Sequence, residues 1–112
     1  MGDLDSAARP LGEALDRAVA LHNRESLARA LEALAVVADT VGDPAHGATL
    51  FGAAEGVRRS IGATVWRTDR ASHARTEERL QTALGEPAFQ AGAARGAALT
   101  VEEAVNAASR IR

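Results

Sequence analysis

A chain of 112 residues with a net charge of −2 and no cysteine makes one small domain, without disulfides or thiolate metal sites. Acids and bases are interspersed, so no dedicated nucleic-acid or membrane surface stands out, and no apolar run approaches the roughly 20 residues that cross a bilayer. All 13 basic side chains are arginine and alanine is abundant, a bias of GC-rich coding that favours helix and says nothing of function. Met1–Pro10 lacks the basic-then-apolar pattern of a secretion signal, so a cytoplasmic protein is the expectation.

The first periodic segment is Ser6–Leu21, with Leu11, Ala14, Leu15, Ala18 and Leu21 on one face and Pro10 bending its first turn. His22–Glu25 is a short polar connection. Ser26–Val41 follows, with Leu27, Leu31, Leu34 and Ala38 at spacings of three and four. Gly42 stops it, Asp43 caps the next helix and Pro44 opens that helix. This third segment runs to Ser60 on Leu50, Phe51, Ala54, Val57 and Ile61, and Gly62 ends it. Ala63–Thr68 breaks helical character and reads as a loop. Thr68 or Asp69 caps a helix through Leu84, stopped by Gly85, and Pro87 starts another. Thr100 and Glu103 form a capping box at the head of Leu99–Arg110. Six helices and no strand predict an all-α fold, with a core of Leu31, Leu34, Phe51, Ala54, Val57, Leu80, Leu84 and Phe89.

Gly47, Ala48, Gly52, Ala53, Ala54 and Gly56 put small residues where a helix usually carries large ones, at about 0.8–1 kcal/mol per glycine relative to alanine. The chain also repeats itself. Gly2–Leu15 lies over Gly42–Glu55 with Gly2 on Gly42, Leu11 on Phe51 and Gly12 on Gly52, a constant offset of 40 residues. A period of that size predicts antiparallel helical hairpins stacked as an array. Gly47 and Gly52 then lie against neighbouring helices, with Gly47 and Ala54 as the close-approach positions. Phe51 fills the gap between repeats, beside the repeat-packing residues Leu31 and Leu34.

"GD" followed by small, large apolar and alanine residues resembles the second helix of a tetratricopeptide-type repeat. "LFGAAEGVRRSIGA" with "ALGEPAFQAGAARGAALTVEEAVNAA" resembles the C-terminal end of large actinobacterial regulators of the LuxR and MalT type, or of predicted signalling ATPases. The resemblance implies a short tetratricopeptide-like array over 1–62, a linker over 63–68 and capping helices over 69–112. It implies a module that binds other proteins inside a transcriptional regulator. Trp66 stands in the linker, whereas such segments carry a tryptophan near Ala93, so Trp66 is expected to fold back towards Ala93. The first repeat lacks its leading helix, which suggests a fragment of a longer protein.

No phosphate-binding Gly-x-x-x-x-Gly-Lys loop and no Gly-x-Ser-x-Gly elbow is present. His22, His46 and His73 lie in separate elements, without a local metal-ligand pair. Glu77, Glu78, Glu102 and Glu103 read as solvated or capping charges. The expectation is therefore no enzyme, no cofactor and no metal. Arg58, Arg59, Arg67, Arg70, Arg75 and Arg79 make an arginine-rich middle, but Asp69, Glu77 and Glu78 interrupt it. The candidate partner surface is Leu4, Leu11, Leu15, Val19 and Trp66. Its first-helix residues are expected to be buried in a symmetric homodimer of the isolated chain, or by upstream repeats in a longer one. A small nucleic-acid-associated protein and a helical effector-binding sensor are the alternatives.

Overall fold

The computed structural model describes the backbone of residues 2–111 and the side chains of residues 9–110. Its helices are α1 (Gly2–Ala20), α2 (Arg24–Thr40), α3 (Pro44–Ser60), α4 (Arg70–Leu84), α5 (Glu86–Ala97) and α6 (Val101–Ala108), with no strand among the described residues. Short 3-10 turns precede α4 at Arg67–Asp69 and follow α6 at Ser109–Ile111. The all-α expectation holds. α1 starts earlier than expected, at Gly2, and continues through Pro10.

Most boundaries are set by the residues expected from the sequence; Asn23, inside the polar connection His22–Glu25, is a cap not expected there. Asn23 and Asp43 accept bonds from the Ser26 and His46 amides, each 3.1 Å, relieving the unpaired first turn of α2 and α3. Gly42 and Gly85 adopt φ of 92° and 84°, which lets the chain leave α2 and α4 sharply. Thr100 and Glu103 close the capping box of α6. Asp69 departs from expectation. It stands at the N-cap position of α4 without capping it, because its carboxylate pairs with Arg29 of α2 at 2.9 Å.

Successive helices run up and down, and two pairs of alternate helices lie side by side. Gly52 faces Ala93, Gly56 faces Ala97, and Gly96 faces Thr49 and Ala53, so α3 and α5 lie side by side in the same direction. Arg29 meets Asp69, Glu32 meets His73 and Asp39 meets Arg79, so α2 and α4 are likewise parallel. Residues about 40 apart are thus neighbours in both pairs. The α1–α3 counterpart does not form: a β-carbon on Gly12 would meet nothing within 4 Å. The reason is in the sequence. Where α3 presents Thr49, Ala53 and Gly56 to α5, the offset places Arg9, Glu13 and Asp16 on α1. Charged side chains cannot close such a contact, and α1 packs on α2 instead, burying Leu15 and Ala18.

The two parallel pairs differ in width. Between α3 and α5 the backbones touch: a β-carbon on Gly52 would collide with the Ala93 carbonyl, and one on Gly56 would sit 2.7 Å from the Ala97 carbonyl oxygen. Glycine is required there because the obstacle is backbone, which cannot rotate away. Gly47 is nearly as tight, with the Ala35 carbonyl oxygen 3.0 Å from such a β-carbon. Phe51 is buried beside this contact, with its ring centroid 5.9 Å from that of Phe89. The expected core is buried as named, except that Leu84 is only partly covered.

Gly52→Ala is expected to cost about 3 kcal/mol despite its better helix propensity, because overpacking outweighs the propensity gain. Gly12→Ala, on the same register of the repeat, is expected to stabilise by about 1 kcal/mol. Thermal denaturation of the two variants checks the opposite signs. Phe51→Ala should cost about 3–5 kcal/mol in urea unfolding, as expected for a phenylalanine buried on all sides.

Candidate functional site

Where α3 and α5 meet through glycine, α2 and α4 are bridged by long charged side chains. α4 buries only Thr76 and Leu80 outright. Its link to α2 runs through Arg29–Asp69 at 2.9 Å, His73–Glu32 at 2.8 Å and Arg79–Asp39 at 3.0 Å. The middle of this ladder is a mostly buried network. Arg58 of α3 donates through Nη1 to Glu32 Oε1 at 2.9 Å and to Glu55 Oε1 at 3.2 Å. His73 Nδ1 donates to the same Glu32 oxygen, its Nε2 lies 3.7 Å from Glu55, and its ring stacks on Phe51 at 4.8 Å. The imidazole therefore has an apolar face against Phe51 and a polar edge bonded through Nδ1.

Glu32, Glu55 and His73 offer ligand atoms within 4.8 Å of one another, so the fold assembles from three helices a group that no local spacing announces. The Arg58 guanidinium sits among them and bonds the same two carboxylate oxygens. The place a cation would take already holds one. The geometry is that of a structural ion network joining α2, α3 and α4.

Because α4 stands off from α2, a cleft of about 440 Å³ opens over α2. Ala30, Ala33 and Val36 line it along α2, with Leu11 and Ala14 of α1 on one side and Ser72 and Thr76 of α4 on the other. At one end of this cleft the linker crosses the start of α2. Trp66 donates its indole N–H to Glu25 at 2.7 Å, and Arg29 lies over its ring at 4.5 Å. Contrary to the expectation from the sequence, Trp66 therefore does not reach Ala93; the space beside Ala93 is taken by Gly52 of α3.

The candidate partner residues are divided by the fold. Leu15 is buried in the core and Leu11 packs partly against it, so these two pack within the chain. The side chain of Leu4 lies outside the described residues. Val19 and Trp66 remain exposed, Trp66 by 45%. Leu21, 69% exposed, and Ile61, 42% exposed, join them; sequence reasoning had placed both on buried faces. Among the described residues these are four of the five exposed large hydrophobic side chains; the fifth, Val41, sits in the α2–α3 turn at the other end. The four share one end, since the α1–α2 turn and the α3–α4 linker are held together there by the Trp66–Glu25 bond. The repeat-packing residues Leu31, Leu34, Gly47, Phe51, Gly52 and Ala54 are all buried and belong to the framework behind this end.

No family profile, characterised protein or solved structure matches the chain. Among the described residues, no helix is long and apolar enough to cross a membrane.

Arg58→Met leaves Glu32 without its guanidinium in a site where both side chains are about nine-tenths buried. A loss of about 3 kcal/mol in urea unfolding is expected, as for other broken buried pairs. Adding Glu32→Met should restore most of that loss, since the uncompensated charge is then gone. A double variant no more stable than the single one would mean that Glu32 is not the charge left stranded.

Proposed function

We propose that this chain is a non-catalytic protein-interaction module, a short helical-repeat array that docks a protein segment through the end formed by the α1–α2 turn and the α3–α4 linker. The observation that carries the reading is the gathering of Val19, Leu21, Ile61 and Trp66 on that end. Single exposed apolar residues are ordinary, but several together mark contact surfaces. Meeting of residues about 40 apart in two parallel helix pairs supports a tetratricopeptide-like architecture. The resemblance of its sequence to the C-terminal region of LuxR- and MalT-type regulators supports reading it as such a module of a larger cytoplasmic signalling protein. The charged groups that the fold brings together are engaged with one another, which fits a framework role better than acid–base chemistry.

Selection of a displayed random-peptide library on the immobilised full chain tests this. Peptides should be enriched, and the double variant Leu21→Ser with Ile61→Ser should bind them at least about tenfold more weakly, a change of roughly 1.4 kcal/mol. Both side chains are exposed, so the variant should keep its thermal midpoint. Failure to enrich any peptide would refute an interaction module. Binding of random duplex DNA that falls steeply between low and moderate salt would instead favour the nucleic-acid alternative.

A further inference from the structure

The end that carries the exposed apolar side chains is also uneven in charge. Arg17, Arg24, Arg59, Arg67 and Arg70 flank the α1–α2 turn and the linker, all exposed, and none has an ion pair among the described residues. The acids of the same two connections are both bonded, though only Asp69 to a cation. Glu25 accepts the Trp66 indole N–H, and Asp69 is paired with Arg29. Asp16 lies a turn below on α1, and Glu102 and Glu103 head α6 at the neighbouring corner, Glu103 being tied into the capping box. Five exposed arginines without an ion pair thus surround the exposed apolar residues, against Asp16, Glu25, Glu102 and Glu103 as acids that no cation pairs among the described residues.

Resting on the interaction reading above, we infer that the partner is an acidic amphipathic protein segment, one that sets large apolar side chains on Leu21, Ile61 and Trp66 and carboxylates on the surrounding arginines. Arginine forks pair with carboxylates through two parallel bonds, which fixes orientation as well as adding attraction. The segment's apolar groups would cover side chains that water now surrounds, and its charges would supply what the arginines lack. Nucleic acid would use the arginines and the indole but leave Val19, Leu21 and Ile61 wet. Trp66 is already fixed by Glu25 and Arg29, so little ordering accompanies binding at that position.

The test uses the full chain and three synthetic peptides of about 15 residues with the same leucine and phenylalanine positions, carrying glutamate, glutamine or lysine between them. Emission from Trp66, the single tryptophan, reports contact. The glutamate peptide should bind at least about tenfold tighter than the glutamine peptide, and its affinity should fall as salt rises. Arg24→Gln with Arg67→Gln should abolish that preference while leaving the glutamine peptide's affinity unchanged. Equal binding of the glutamate and glutamine peptides by the unaltered chain would overturn the acidic partner and leave the interaction module standing. Tighter binding of the lysine peptide would overturn it too. Binding of none of the three, together with no enriched peptide in the display selection, would remove both readings. Tighter binding to mixed phosphatidylserine–phosphatidylcholine vesicles or to duplex DNA than to the glutamate peptide would assign the surface to those ligands instead.

Discussion

The backbone contact between α3 and α5 is the constraint on which the rest of the molecule depends. Gly52, Gly56 and Gly96 remove the side chains that would hold the helices apart, and the flanking alanines complete the surface. Two helices at that distance fix the direction and register of α5 relative to α3. α4, which connects them, must then pass over the outside. It buries no broad apolar face, and a cleft stays open between it and α2. Its composition agrees: α4 is mostly polar, with Leu80 as its one wholly buried large side chain.

What holds α4 instead is charge. Three pairings run along the α2–α4 seam, and their midpoint is the Arg58–Glu32–His73 network. The outer two pairs are partly exposed, Arg29 by 49% and Arg79 by 61% of their side chains, so each contributes little. The central one is shielded by α3 and by the Phe51 ring, and removing one member there leaves another stranded. The network therefore does more to specify where α4 sits than to stabilise the fold as a whole.

Much of this was legible in the sequence where the signal is local or periodic. Gly42, Asp43, Pro44, Gly85 and Thr100 mark turns through their own backbone or side-chain chemistry, and the helices follow from apolar spacing. The 40-residue offset correctly pairs Gly52 with a close neighbour, yet it also implied that Gly12 would behave alike. The difference lies in Arg9, Glu13 and Asp16, which occupy the rest of that register. Comparing one residue of a repeat does not show whether the whole stripe can close. Trp66 was misplaced for another reason. An aromatic side chain in a linker goes where its N–H finds an acceptor and its ring a cation, and both Glu25 and Arg29 lie some 40 residues away. The Glu32–Glu55–Arg58–His73 group is also non-local apart from Glu55 and Arg58, three residues apart on α3, and no spacing ties that pair to Glu32 or His73.

The narrow seam and the wide seam together determine what the exposed end can do. α2, α3 and α5 form the part whose backbones and apolar side chains interlock. The α3–α4 linker leaves that part at Ile61 and is fastened again at Trp66 and Asp69, on Glu25 and Arg29 of α2. Arg29 serves both fastenings, since its guanidinium stacks on the indole and pairs with the carboxylate. Anything that seats on Trp66 therefore bears on the same arginine that locates the first turn of α4. Elements held by few buried contacts are those that open at the lowest free energy. A partner at this end thus touches the start of α2 and a helix that buries only Thr76 and Leu80 outright. The surface that offers apolar contact is also the point at which α4 is tied down.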